Sequence, residues 1–132
     1  MRNNLFLIIL CYRTFSGDQF IAVANTEWGK IPCKANAHGN GWYCYGGLEY
    51  ETDDFHYVVY TSPHRFVPND NCGPPEGAMI TGYQEDGRGD QYAAIALSEW
   101  GRIPGKACDD SCWYPFGGQE HETTDFEYVV LN

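Results

Sequence analysis

The chain has 132 residues, of which 43% are hydrophobic and 16% aromatic, enough for one medium domain or two small units that share a core. Its formal net charge is −10 and its pI is near 4.6, so a nucleic acid or an anionic membrane surface would repel it. No segment approaches the ~20 apolar residues that span a bilayer, which argues against membrane insertion.

The first element is an apolar run over residues 5–10, preceded by a methionine and the polar residues 2–4. This pattern resembles a short signal peptide, but the run is shorter than a typical apolar region and no small-x-small cleavage site follows it. We expect the run to form a strand. The protein is then expected in the cytoplasm, or outside the cell after unconventional release.

The chain repeats itself. Residues 18–35 match residues 90–107 at an offset of 72, and after a one-residue gap residues 42–51 match residues 113–122 at an offset of 71. Roughly half of the aligned positions are identical, which chance does not produce. The sequence therefore predicts a tandem duplication, with a first copy over 1–60, a connector over 61–76 and a second copy over 77–132.

Each copy is predicted to consist of β-strands. The predicted strands combine apolar, aromatic and β-branched residues, as sheets prefer; they cover 20–24, 42–45 and 55–60, then 92–96, 113–116 and 126–131. Turn signals separate them, namely Gly29, Pro32 and Gly46-Gly47 in the first copy and Gly101, Pro104 and Gly117-Gly118 in the second. No window shows a helical period. The prediction is an all-β, β-sandwich-like domain whose halves are related by a pseudo-twofold axis.

The connector is rich in proline but also contains Phe66 and Val67. Proline and glycine are typical of loops. The two apolar residues give the segment something to bury, so we expect it to be ordered.

Both copies contain the residue types that bind sugars. Carboxylates accept hydrogen bonds from sugar hydroxyls, lysine donates to them, and an aromatic ring packs against the C–H face. The candidates are Glu27, Trp28 and Lys34 in the first copy, Glu99, Trp100 and Lys106 in the second, and Asp18 and Asp90 before the first strand of each. The tryptophans could equally be core residues, and Asp18 and Asp90 could be structural turn residues. Glu49 and Glu120, after the double glycines, could fix turns by accepting backbone N–H groups.

The sequence offers little for other chemistries. It has no nucleophile elbow, phosphate loop or HExxH motif, so we expect no enzyme activity. His38 and His121 have no His or Cys partner in ligand spacing, so we expect no metal or other cofactor. The six cysteines do not repeat between the copies, so most are expected to be free buried thiols, with Cys108–Cys112 and Cys33–Cys44 as the pairs to test.

The motifs Ile103-Pro104-Gly105-Lys106, Phe116-Gly117-Gly118-Gln119-Glu120-His121 and Phe126-Glu127-Tyr128-Val129-Val130-Leu131 resemble the DM-nine repeat, whose pattern is a PGK turn, a GxEH turn and a closing YEVL strand. The resemblance covers nearly the whole chain. The most similar proteins in kind are the small tandem DM-nine lectins of bivalve molluscs, which bind mannose; the repeat also occurs in natterin-like proteins.

The resemblance implies one sugar site per repeat, built from the lysine of the PGK turn and an acidic residue in the loop before the first strand. Lys34 and Lys106 match the lysine, and Glu85, followed by Asp86, matches the acidic residue of the second copy. In the first copy the same place holds residues 12–14, with no carboxylate, and Cys33 replaces the glycine.

The expected function is therefore a lectin for mannose-type or related glycans, in innate immune pattern recognition. Two sites per chain, or four in a homodimer, would give avidity on repetitive microbial glycans. The alternative is a non-catalytic protein-interaction module with degenerate sugar sites.

Overall fold

The computed structural model describes the backbone of residues 7–8, 10–14, 17–60 and 63–131, and the side chains of 17–59 and 63–131. This part of the chain is all-β. Its strands are β1 (Leu7–Ile8), β2 (Leu10–Thr14), β3 (Gly17–Thr26), β4 (Gly29–Ala35), β5 (Gly41–Tyr45), β6 (Leu48–Thr52), β7 (Phe55–Tyr57), β8 (Val59–Tyr60), β9 (Arg65–Pro68), β10 (Ile80–Gln84), β11 (Asp90–Ser98), β12 (Gly101–Cys108), β13 (Ser111–Phe116), β14 (Gln119–Thr123) and β15 (Phe126–Val130). Within these residues, no helix is long and apolar enough to cross a membrane. Residues 1–6 of the predicted signal-like segment lie outside the described residues.

The two copies join in one curled antiparallel sheet. Strands β2 to β6 form a meander in the first copy, β10 to β14 form its counterpart, and β6 pairs with β14 through Leu48 and Gln119. The closing strands are also equivalent, since β7 pairs with β3 and β15 pairs with β11. The sheet curls so that β4 packs against β12. The all-β, pseudo-twofold prediction is confirmed.

Both faces of the long strands β3 and β11 are buried. Side chains alternate between the two faces of a strand, so Ala22 and Ala24 pack into a core of the first copy while Ile21 faces a shared core. On β11, Ala94 and Ala96 belong to a core of the second copy. The shared core contains Ile21, Val58, Ala93, Ile95 and Val129, residues from both copies. The copies are therefore parts of one domain.

The double glycines form tight hairpin turns. Gly46 and Gly47 have φ of 62° and 91°, and Gly117 and Gly118 have φ of 63° and 86°. Each pair is the complete loop of a two-residue hairpin. Both loop positions have positive φ in these turns, a conformation in which glycine has no steric penalty.

Pro32 and Pro104 do not mark turns, and the PGK motif is not a turn in this chain. Both prolines lie inside strands, opposite Val23 on β3 and Ile95 on β11. Their other side is unpaired, because β4 pairs with β5 only from Lys34 onward and β12 pairs with β13 only from Lys106 onward. Proline has no N–H to donate, so it is tolerated where a strand has a free edge.

The connector contains a strand. β9 pairs with β15, Phe66 packs against the shared core, and Val67 packs against the core of the second copy. The boundaries 1–60, 61–76 and 77–132 stay a prediction. The described cysteines, Cys33, Cys44, Cys72, Cys108 and Cys112, are free thiols, and all but Cys72 are buried. The side chain of Cys11 lies outside the described residues.

Candidate functional site

A cavity of about 220 Å³ opens beside Lys34. Lys34 on β4 lies directly opposite Trp42 on β5, and Glu49 comes from the next strand, β6. The other copy contributes Phe116 and Gly117 at the end of β13. The described residues that line the cavity are Gln19, Lys34, Asn36, Trp42, Glu49, Phe116 and Gly117. The site is therefore shared between the two copies.

Lys34 is buried with one acidic partner. Its Nζ lies 3.3 Å from Oε2 of Glu49, and among the described residues no other carboxylate is within ion-pair distance. The amine also lies 5.3 Å from the ring centre of Phe116 and 5.8 Å from that of Trp42. Burial lowers the pKa of Lys34, and Glu49 only partly opposes this effect.

Lys106, the equivalent lysine, is more completely enclosed, with 1% of its surface exposed. Its Nζ lies 2.7 Å from Oε1 of Glu85 and 3.2 Å from Oε2 of Glu120, and it donates to the backbone oxygen of Cys44 at 2.8 Å. Burial alone would lower the pKa of Lys106, but the neighbouring negative groups, Glu85 and Glu120 among them, raise it above the ordinary value. The structure thus brings together the lysine and the carboxylate that the resemblance paired.

Glu49 and Glu120 link the two copies. Oε1 of Glu49 accepts a hydrogen bond from the N–H of Gly118 at 2.7 Å, and Oε1 of Glu120 accepts one from Gly47 at 2.8 Å. The second oxygen of each carboxylate faces the lysine of its own copy. These residues do bind turn amides, but of the opposite copy, and their contact with the lysines was missed. The signal available in the sequence was the identical Gly-Gly-x-Glu spacing.

Trp28 does not contact Lys34, and Trp100 does not contact Lys106. Trp28 stacks on Tyr45 at 4.1 Å and Trp100 stacks on Phe116 at 4.4 Å. Tyr45 in turn lies 5.6 Å from Lys106. Each tryptophan therefore backs an aromatic ring that faces the lysine of the other copy.

Glu27 and Glu99 are exposed in the turns beside these tryptophans, away from the lysines. In the pairing of β3 with β4, Lys34 lies opposite Ile21. The turn that contains Glu27 begins after Thr26, five residue pairs further along the hairpin. At about 3.3 Å per residue this is roughly 16 Å. In the pairing of β11 with β12, Glu99 is separated from Lys106 by the same number of residue pairs. Closeness in sequence misled the prediction, because an extended hairpin carries its turn away from its strand ends.

The remaining candidates lie near the start of the repeats. Asp18 is half-buried on β3, Asp90 accepts a 3.4 Å hydrogen bond from Gln84, and Asp86 is exposed with φ of 55°. None lines the cavity. The neighbouring Gln19, which sequence reasoning missed, does line it and is 4% exposed. Its Oε1 is buried without a hydrogen-bond partner among the described residues, and the same is true of Oε1 of Gln91, the equivalent residue of the second copy.

In the described part of the chain, no three His, Cys, Asp or Glu side chains are grouped as metal ligands would be. The polar groups of the cavity are instead a buried amine, a carboxylate and side-chain amides, next to two aromatic rings. These groups can hydrogen-bond hydroxyl or carboxylate oxygens and pack against C–H surfaces.

The Glu85–Lys106 pair makes stability dependent on pH. Burial would raise the pKa of Glu85, but hydrogen bonds from Lys106 and Tyr83 lower it below the ordinary value. A lowered carboxyl pKa stabilises the fold above the unfolded-state pKa, and this stabilisation is lost as pH falls through the folded-state pKa. We therefore expect the difference in Tm between wild type and Glu85→Gln to be largest near neutral pH and to shrink below about pH 4.3.

Thermal unfolding from pH 7 to pH 3 measures this difference. Glu122→Gln, on the exposed face of β14, is the control. Its Tm should differ little from that of wild type at every pH, because exposed charges are screened. A gap for Glu85→Gln that does not change with pH would contradict the ion pair.

These features define a small β-protein built from two repeats, with a polar and aromatic cavity at the junction of the copies. The DM9 repeat family model matches residues 16–110. The chain belongs to the DM9 repeat family, which confirms the resemblance and indicates a carbohydrate-binding type of module.

Among solved structures, the fold is similar to that of the nematode sperm cell motility protein MFP2B, with a TM-score of 0.67 and 15% sequence identity. The match covers 96% of this chain and 41% of MFP2B, so the chain spans less than half the length of that protein. At this identity the similarity concerns the fold alone. No curated protein matches the chain significantly in sequence.

Proposed function

We propose that the protein is a non-enzymatic lectin that binds mannose-type or related glycans through one site in each repeat. The observation that carries this proposal is the cavity at Lys34, which combines a buried amine, a carboxylate, the side-chain amide of Gln19 and two aromatic rings. Its volume, about 220 Å³, is below the ~300–1,000 Å³ of clefts for drug-sized ligands and suits a single sugar ring.

At the second site, near Lys106, the residues that a ligand can reach are different. Lys106 is enclosed, so its role is to hold Glu85 and Glu120 in place. Glu85 and the exposed Asp86 then offer acceptors to sugar hydroxyls. Groups fixed before the ligand arrives lower the ordering cost of binding. Binding is proposed to need no metal, and a homodimer would present four sites to a microbial glycan.

A glycan array probed with and without EDTA tests this function, followed by calorimetry on the glycans found. Lys34→Met keeps the length of the side chain but removes its charge and its donors. We expect it to weaken binding at the first site by at least about tenfold, because a hydrogen bond to a charged group contributes about 1.5–3 kcal/mol. The matched control is Lys30→Met, an exposed lysine of the same strand that binds Asn25, and it should leave binding unchanged.

The alternative is a protein-interaction module with degenerate sugar sites. The observation that favours it is Trp28, which is 37% exposed and lies on a cluster with Tyr43, Tyr45 and Tyr50. Exposed aromatic residues are enriched at protein interfaces. Folded protein that binds no glycan on the array would overturn the lectin proposal and favour this alternative.

A further inference from the structure

Lys34 and Lys106 are equivalent residues of the two copies, but their surroundings differ. Lys106 contacts three oxygen atoms, from Glu85, Glu120 and Cys44. Lys34 has, among the described residues, only Glu49 as an ion-pair partner, at the longer distance of 3.3 Å. The positive charge of Lys34 is therefore less well compensated. Glu49 and Glu120 each also accept a backbone N–H, so the two lysines do not differ in this respect.

The group that differs is the carboxylate of Glu85. The register pairs Gln84 with Asp90 in the second copy and Arg13 with Asp18 in the first, so the residue that corresponds to Glu85 is Thr14. The first copy has no carboxylate at this place in the sheet. It has instead the open cavity beside Lys34.

We propose that the Lys34 cavity selects a saccharide that carries a carboxylate, a hexuronate, whose carboxylate takes the place against Lys34 that Glu85 holds against Lys106. The inference rests on the proposed glycan binding and adds the class of ligand at the first site. The ligand supplies the second negative charge that the second copy supplies from its own chain.

The rest of the cavity suits a sugar ring attached to that carboxylate. The side-chain amides of Gln19 and Asn36 line the cavity, and the rings of Trp42 and Phe116 flank the amine. Burial strengthens the pairing, because the water that would screen a surface ion pair is excluded.

The net charge of −10 does not oppose this ligand as it opposes a polyanion. A single hexuronate carries one charge. At physiological ionic strength the repulsion from charges more than about 8 Å away is largely screened. Among the described residues that line the cavity, Lys34 and Glu49 are the charged ones.

The test compares two probes that differ at one carbon, methyl α-D-mannoside and its C6-carboxylate, methyl α-D-mannuronate. Calorimetry on the full chain at pH 7 is expected to show one mannuronate site with about tenfold higher affinity than the mannoside has at the same site, because the carboxylate adds a charge–charge attraction to Lys34 that a neutral hydroxyl cannot supply. Lys34→Met should abolish this preference, and Lys30→Met should keep it.

A second variant reproduces the first-copy arrangement in the second copy. Glu85→Thr removes the internal carboxylate from Lys106 and is expected to raise the stoichiometry of mannuronate binding from one to two. A stoichiometry that stays at one in folded Glu85→Thr would overturn the view that Glu85 stands in for a ligand.

The outcomes separate the two proposals. Mannoside binding at Lys34 that equals or exceeds mannuronate binding would overturn the acidic preference and leave the lectin function in place. Absence of binding by both probes and by the glycan array, in protein with an unchanged Tm, would overturn the lectin function as well.

Discussion

Lys106→Met is expected to lower the free energy of unfolding by about 3–5 kcal/mol, the usual cost of removing one partner from a buried ion pair. Methionine fills a similar volume, so the loss comes from charge and not from packing. Without the amine, Glu85 and Glu120 remain near each other in a poorly solvated place, and the carbonyl of Cys44 loses its donor. Urea denaturation at pH 7 measures the effect.

Two further variants make this result specific. Lys30→Met removes an exposed lysine and should cost less than about 0.5 kcal/mol. The double variant Lys106→Met/Glu85→Gln should cost less than the two single changes added together, because the second change removes a charge that the first leaves uncompensated. A cost below about 1 kcal/mol for Lys106→Met would show that the carboxylates do not depend on this amine.

Gly105→Ala is expected to destabilise the protein by about 1–3 kcal/mol or more, the range for overpacked cores. A Cβ at this position would lie 2.4 Å from the backbone oxygen of Trp113 and 3.0 Å from Cβ of Tyr114. A backbone carbonyl cannot rotate away as a side chain can. Relief therefore requires β13 to move from β12 next to Lys106, which is paired with Trp113.

The first copy supplies the matched control. Cys33 corresponds to Gly105 and already carries a Cβ, buried against Ala22, Ala24 and Ala35. Cys33→Ala removes only the sulfur atom, and we expect a loss of about 1 kcal/mol. Thermal and urea unfolding of both variants give the comparison. Equal stability of Gly105→Ala and wild type would mean that β12 and β13 can separate without cost.

The sequence determined the elements and their repetition. The constant offset predicted two equivalent halves, the aromatic and β-branched runs predicted strands, and the double glycines marked the hairpins, because these features depend on local backbone preferences and on side-chain alternation. Strand prediction failed at Pro32 and Pro104. Whether a proline can lie in a strand depends on which neighbour that strand has, and no local pattern reports this.

The sequence predicted only some of the residues of the candidate site. Lys34 and Lys106 were predicted from residue type and from the resemblance, Glu85 came from the resemblance alone, and the structure brings Glu85 and Lys106 together. Glu27 and Glu99 were chosen for closeness in sequence and lie at the far ends of their hairpins. Gln19 was missed because its importance depends on the cavity that it faces.

Only the tertiary structure decided how the two copies share their parts. The pseudo-twofold arrangement brings Phe116 to Lys34 and Tyr45 to Lys106, and it joins each glycine turn to a carboxylate of the other copy. The glycines and the carboxylates that bind them are 73 and 69 positions apart in the chain. The sequence of one repeat specifies its own strands through local preferences, but contacts between repeats depend on how the curled sheet brings its two halves together.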